Sequence, residues 1–373
     1  MAYRLSFHRW LDRSARRPLV DVLWEAGSRC RSVTNREHFE AENFVLNAAI
    51  VGLGWWGRTL VESVQSTSRR IRFTRAATLE VDAAARFAAA HNLDLVRDFG
   101  EILGDPKIDA VVLATPHSLH VPQIIDAAAA GKHVYSEKPL ALRLADARKA
   151  VAACEAAGVV LAVGHDRRLL PGIRELKRLV SGGALGEIIH LEAQYSNDAM
   201  SRGLTGIWRA TEAEAPGGGM TGPGLHALDS LLNIGPKLRS VTGRINKIKP
   251  FPNPIDSVAL LLEFAGGATG LLGTVRGVPD FIRLHALGSG GWAELRDFKI
   301  LTVHLLGKSA TRQRFDPTLN TSAMLESFAL AIDGEAAFPV SHRAVLETVA
   351  AFESTIAALS SGQTVDVTAV DRA

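Results

Sequence analysis

From position 45 onward, short apolar runs alternate with longer stretches whose apolar residues recur at helical spacing. The runs 45–51, 71–79, 93–97, 110–114, 133–135 and 159–163 each predict a strand. Helical patterns lie between them, opening near 58 and running to about 67, then at 82–91, 99–103, 121–130 and 144–157. Several are rich in alanine, the best helix former. Gly131 and Gly158 stand where helices commonly end in a left-handed residue. The run Ala110-Val111-Val112-Leu113-Ala114 is apolar on both faces, as a strand covered by helices on both sides must be. This alternation predicts an α/β unit, a doubly wound parallel sheet with right-handed crossovers.

After Gly164 the texture changes. One helix is predicted at 171–181, and strands at 187–196, 237–248, 257–264, 267–275, 281–287, 292–296 and 299–305. Gly266-Gly267 and Gly288-Ser289-Gly290-Gly291 separate them as turns, so antiparallel pairing is expected. Helices at 322–333 and 341–359 follow. The pattern divides the chain into an N-terminal extension (1–43), an α/β unit (44–168) and an α+β unit with an open, mainly antiparallel sheet (169–373). An open sheet with one uncovered face favours self-association.

Composition narrows the partners. A length of 373 residues suits two domains, and 47% apolar with 22% charged residues is ordinary for a globular chain. The net charge of +3 comes without a basic stripe interleaved with aromatics, so nucleic acid is not expected. No apolar run approaches bilayer length, so no membrane partner is expected. Cys30 and Cys154 form no disulfide framework, and a reducing cytoplasm is the expected location. For want of a Cys-x-x-Cys pair or a carboxylate cluster, no metal is expected. Residues 1–43 hold eight arginines and six acids and read as a poorly ordered or short-helical extension. Arg16-Arg17 is followed by Asp21 and Glu25 rather than a long apolar region, so export is not expected.

The candidate chemistry begins where the first predicted strand runs into Gly52-Leu53-Gly54-Trp55-Trp56-Gly57. In such a loop the first glycine makes the tight turn, the second lets a pyrophosphate approach, and the third packs helix on strand. The phosphates then sit at the helix N-terminus. Glu80 closes the next apolar stretch, where an acid binds ribose hydroxyls and disfavours the extra phosphate of NADP. NAD is therefore the expected cofactor, with NADP left open.

Four further segments follow in order: Thr115-Pro116-His117-Ser118-Leu119-His120, Glu137-Lys138-Pro139, Gly164-His165-Asp166-Arg167-Arg168, and Pro216-Gly217-Gly218-Gly219 leading to His226-Ala227-Leu228-Asp229. With the glycine loop and Trp208-Arg209, the series resembles the Gfo/Idh/MocA family of NAD(P)-dependent oxidoreductases over about residues 46–365. The resemblance implies a Rossmann domain followed by an α+β domain, and a small-molecule substrate of the sugar or polyol kind. It also implies assembly into a homo-oligomer.

On that resemblance Thr115, Pro116, His120 and Glu137 join Gly52, Gly54, Trp55, Trp56, Gly57 and Glu80 around the cofactor. Lys138 is the first catalytic candidate, its ammonium stabilising a developing alkoxide. His226 is the second, since an imidazole exchanges protons near neutrality. Arg167 and its neighbour Arg168, Asn197 and Asp229 are expected near substrate, and Asp229 would share a helix face with His226 and orient its ring. His117, His165 and His285 read as structural. The chain departs from the family at Gly222, where a carboxylate usually stands four residues before the histidine. The expected activity is hydride transfer between nicotinamide and a hydroxyl-bearing carbon. A nicotinamide-bound sensor without turnover and a glycosidase using NAD transiently remain open beside it.

Overall fold

The computed structural model describes residues 45–198, 207–250, 254–318 and 321–368. The extension expected at 1–43 lies outside them. The chain enters through β1 (Leu46–Val51), α1 (Trp55–Val64), β2 (Ile71–Ala77), α2 (Val81–Ala90), β3 (Asp94–Val96) and α3 (Phe99–Leu103). It continues through β4 (Ala110–Leu113), α4 (His117–Ala129), β5 (His133–Ser136), α5 (Leu144–Ala157) and β6 (Leu161–Val163). The six strands are parallel in the order β3-β2-β1-β4-β5-β6, so the winding reverses between β1 and β4. Every residue of β4 is buried, because helices cover both faces. Ligands of such sheets bind beyond the carboxyl ends of the strands, at this switch point.

The second part holds α6 (Pro171–Ser181), β7 (Ile188–Ser196), α7 (Pro223–Ile234), β8 (Leu238–Lys249), β9 (Ile255–Phe264), β10 (Thr269–Arg276) and β11 (Phe281–Gly288). Next come β12 (Gly291–Arg296), β13 (Ile300–Leu305), β14 (Thr311–Arg314), α8 (Thr321–Ile332), α9 (His342–Ser361) and β15 (Val365–Asp366). Its nine strands run in the order β14-β13-β12-β11-β7-β10-β9-β8-β15. All pairs are antiparallel except β7 with β10. In β9 the residues Val258, Leu260, Leu262 and Phe264 turn inward toward the helices. Leu261 turns outward beside Leu271 of β10, and both are exposed.

Two hydrophobic cores result. Met324, Leu325 and Phe328 of α8 join the core of the first sheet, as do Val345 and Val349 of α9. Farther along α9, Phe352 and Ala358 belong to the second core, so one helix ties both together. Helix α4 begins at His117, four residues ahead of the sequence expectation, and carries Pro122 inside it. Proline ordinarily marks a helix boundary, but His117 and His120 fasten the first turn through their rings, as described below.

Candidate active site

Strand β1 ends at Val51, and the turn begins at Gly52, whose φ of +93° favours glycine. A Cβ on Gly52 would come within 2.7 Å of the Ala114 carbonyl oxygen. A Cβ on Gly57 would collide with the Gly52 carbonyl oxygen, which is how closely α1 packs on the turn. Gly54 is different: nothing lies within 4 Å of its Cβ position. The loop therefore presents open space at the N-terminus of α1, where the first N–H groups have no helical acceptor. A dinucleotide pyrophosphate fits that cradle. Trp55 is exposed and Trp56 half-buried at its rim. Glu80 caps α2 three residues beyond β2 and is exposed.

Beyond the loop a cleft opens between the carboxyl ends of β1, β4, β5 and β6 and the segment leading into α7. It encloses about 180 Å³. Trp55, Trp56, Thr115, His120, Glu137, Lys138, Arg167 and His226 all line it. Residues 88 positions apart in sequence, Lys138 and His226, thus line one space. Gly52 and Gly57 lie behind the loop and shape it, and Pro116 caps the start of α4.

The wall on the first sheet is tightly fixed. His120 is fully buried, and its Nδ1 and Nε2 lie 2.8 Å and 3.1 Å from the carbonyl oxygens of Pro139 and Thr115. The ring therefore ties the end of β4 to the cis Lys138–Pro139 segment after β5. Its nitrogens are spoken for by backbone. Thr115 donates its hydroxyl to Gln123 at 2.6 Å. His117, expected to be structural, accordingly meets the Glu214 carbonyl oxygen at 2.6 Å, yet it also lines the cleft.

The charged groups are displaced from their ordinary behaviour. Burial pushes the Glu137 carboxyl up to about 7, against the pull of Trp56 and Lys138. Burial likewise brings the Lys138 amine down to about 8, although Glu137 opposes it. His226 is driven well below its usual value by burial and by the positive charges of Arg167 and Lys138. Its ring is neutral, and no side chain or backbone group among the described residues hydrogen-bonds it.

Asp229 departs from expectation. It is 1% exposed, and its oxygens take a fork of hydrogen bonds from Arg168 at 2.7–3.1 Å and another from Thr348 at 3.1 Å. His165 Nδ1 stands 3.2 Å away. Asp229 therefore lies beneath the cleft, outside its lining, and holds α7 to the end of β6 rather than orienting His226. Arg168 is turned inward with it. Asn197 is likewise absent from the lining; its backbone bridges to β10 through Val275 and Gly277.

Asp166 and Arg276 are among the lining residues that sequence reasoning does not single out. Asp166 is buried against Arg167, which donates to it at 2.7 Å. Arg276 enters from β10, its guanidinium committed to the buried Asp256. The signal for the latter was an arginine ending an apolar strand, which is too common to single out. At Gly222 a Cβ would meet nothing within 4 Å, so the position opens directly onto the cleft.

Residues 46–165 match the sequence profile of the oxidoreductase family with an NAD-binding Rossmann fold, and 173–294 match the GFO/IDH/MocA C-terminal domain. The chain belongs to the Gfo/Idh/MocA family of oxidoreductases. Its first domain is an NAD-binding Rossmann domain. Among relatives, mouse trans-1,2-dihydrobenzene-1,2-diol dehydrogenase is 28% identical over 217 residues, covering 57% of this chain and 62% of that protein. The scyllo-inositol 2-dehydrogenase (NAD(+)) of Bacillus subtilis (strain 168) is 32% identical over 201 residues, covering 51% and 56%. The match thus spans less than two thirds of either relative. In fold, the chain superposes on levoglucosan dehydrogenase in complex with NADH and L-sorbose with a TM-score of 0.77 at 20% identity, covering 88% of this chain and 100% of that one. Among the described residues no helix is long and apolar enough to cross a membrane.

Proposed function

We propose that this family member is an NAD-dependent dehydrogenase acting on a CH–OH group of a sugar, an inositol-like polyol or a related hydroxy compound. The observation that carries this reading is the meeting of Lys138 and His226 in a cleft that opens beside the glycine loop. Relatives named for a dihydrodiol and for scyllo-inositol support the substrate class. NAD, when bound, supplies the acceptor for the hydride that leaves the carbinol carbon. Gly54 and the first turn of α1 would hold its pyrophosphate, Glu80 a ribose, and Thr115, Pro116 and Glu137 the nicotinamide end.

The chain's own groups handle the proton. Burial brings the Lys138 amine down to about 8, toward the range where a general base works best, and we assign it the hydroxyl proton. His226, neutral and with no carboxylate at Gly222 to raise its basicity, hydrogen-bonds the same oxygen and fixes its position. Arg167, held by Asp166, is placed to bind a neighbouring hydroxyl. The exposed outer face of the second sheet, with Leu261 and Leu271 paired on it, supports self-association.

A second reading, a nicotinamide-bound sensor, draws on Gly222, which removes a carboxylate from beside His226. A panel of sugars and polyols assayed with NAD for absorbance of reduced cofactor separates the two. Turnover supports the dehydrogenase, and NAD binding without turnover of any member supports the sensor.

A further inference from the structure

The cleft is richer in positive than in negative charge. Lys138, Arg167, Arg209 and Arg276 line it, against Glu137 and Asp166. Two of the four positive charges are answered within the protein. Arg167 bonds Asp166, and the guanidinium of Arg276 is paired with Asp256 behind it. Glu137, held up at about 7, is only partly ionised near neutral pH.

Two of the four have no such partner among the described residues: Lys138, already engaged in the proton transfer proposed above, and Arg209. Its guanidinium lies 4.1 Å over the Trp208 ring, and Trp208 meets the His117 ring edge-on at 5.0 Å. His117 is fastened in turn to the Glu214 carbonyl. This chain of contacts holds Arg209 at the cleft, half-buried, with no carboxylate and no hydrogen-bond acceptor among the described residues. Burial works against its charge, and the one acid pulling the other way is Glu137. A partly desolvated guanidinium with no anion is costly, and its planar fork matches a carboxylate in two parallel hydrogen bonds. Space for such a group exists in the same cleft, because no side chain at Gly222 enters it.

We propose that the substrate is a sugar or polyol acid whose carboxylate is received by Arg209 in the space left open at Gly222. The proposal rests on the dehydrogenase reading above and names its substrate class. One guanidinium fork without an anion suits a carboxylate better than a phosphate dianion, which calls for more donors.

The test uses the full chain with NAD and matched substrates: D-glucose with D-glucuronate, D-galactose with D-galacturonate, and D-glucose 6-phosphate as the phosphate arm. Initial rates of NADH formation are read together with calorimetric binding of each acid, which requires no turnover. The acid member of a pair is expected to have the higher kcat/KM. Arg209→Gln is expected to lower the acid-to-neutral ratio on the order of 10- to 100-fold, the worth of hydrogen bonds to a charged group. Arg209→Lys, which keeps the charge without the fork, is expected to lower it less. Gly222→Asp, which places a negative charge in the same space, should lower it as well.

Neutral sugars turned over as well as acids, with a ratio unmoved by Arg209→Gln, would overturn the carboxylate while leaving the dehydrogenase standing. Preference for glucose 6-phosphate would overturn it too. Arg209-dependent binding of uronates without NADH formation would support the carboxylate and sink the dehydrogenase. If no acid binds and none is turned over, the proposal is overturned.

Discussion

Gly57, behind the phosphate loop, and Gly222, in the lining of the cleft, are glycines for opposite reasons. A Cβ on Gly57 would collide with the Gly52 carbonyl, a backbone atom that cannot swing aside. A Cβ on Gly222 would meet nothing within 4 Å. The first is imposed by packing, and any chain that folds helix α1 onto this turn must supply it. The second is left free by packing, so its identity reports on what enters the cleft. The loop carries information about the fold, and the floor of the cleft carries information about the substrate.

The comparison is most directly broken at Gly57. Gly57→Ala is expected to cost about 3 kcal/mol or more, the upper end of overpacking. NAD affinity should fall at least 100-fold with it, because the pyrophosphate cradle is built on the same backbone. Thermal melts and NADH fluorescence titration would read both. A variant that melts and binds like the parent would mean that the crowding at Gly52 relaxes without consequence.

Packing also rules beneath the floor. Asp229→Ala leaves the Arg168 guanidinium buried without its partner, and an uncompensated buried charge costs about 3–5 kcal/mol. Burial pushes the Asp229 carboxyl up, but His165 and Arg168 overcome it and hold the group below its ordinary value. A carboxyl with a lowered native value adds stability above its unfolded value and loses it as pH falls through the native one. The parent should therefore melt progressively lower on acidification, and Asp229→Ala should lose that part of the dependence. Loss of turnover with unchanged melting would instead return Asp229 to the chemistry.

How much of this was legible in the sequence depends on range. The parallel sheet could be read because each strand carries its own apolar run, and the glycine loop because its three glycines are contiguous with β1 and α1. The Arg168–Asp229 fork could not, since it joins residues 61 apart through a fold that local periodicity does not contain. Asp229 instead looked like the partner of its near neighbour His226. Strand β14, with all four residues exposed, offers no alternation to detect, and β15 is two residues long. Helix α7 could be read at His226 and Asp229, but the glycines and Pro223 at its start hid where it begins. Arg209 was visible only as part of a motif; its lack of an anion appears once the cleft has closed around it.

Lys138 tests whether the lining is chosen for chemistry. Lys138→Ala should lower kcat by roughly 10²–10⁴, the usual worth of general acid–base catalysis, with NAD affinity within a few-fold of the parent. Because the amine must be neutral to accept a proton, log kcat/KM should rise with pH up to about 8 and level off above it. That rise should vanish in Lys138→Ala. A rate that falls as pH passes through 8 would instead assign Lys138 an ammonium role and return the proton to His226.

The smallest expected effect sharpens the comparison most. Gly222→Ala adds one methyl group where the protein offers no neighbour, so its melting should stay within about 1 kcal/mol of the parent. NAD affinity should be unchanged, because the loop at Gly54 and the start of α1 are untouched. What should move is the substrate profile: the methyl group narrows the cleft beside His226, and bulky or charged substrates should feel it before small neutral ones. Measured together, melting, NAD affinity and substrate profile separate a glycine required by the backbone from one kept for its emptiness. Destabilisation as large as that of Gly57→Ala would place Gly222 among the packing glycines and remove the reason to look for a substrate group in its place.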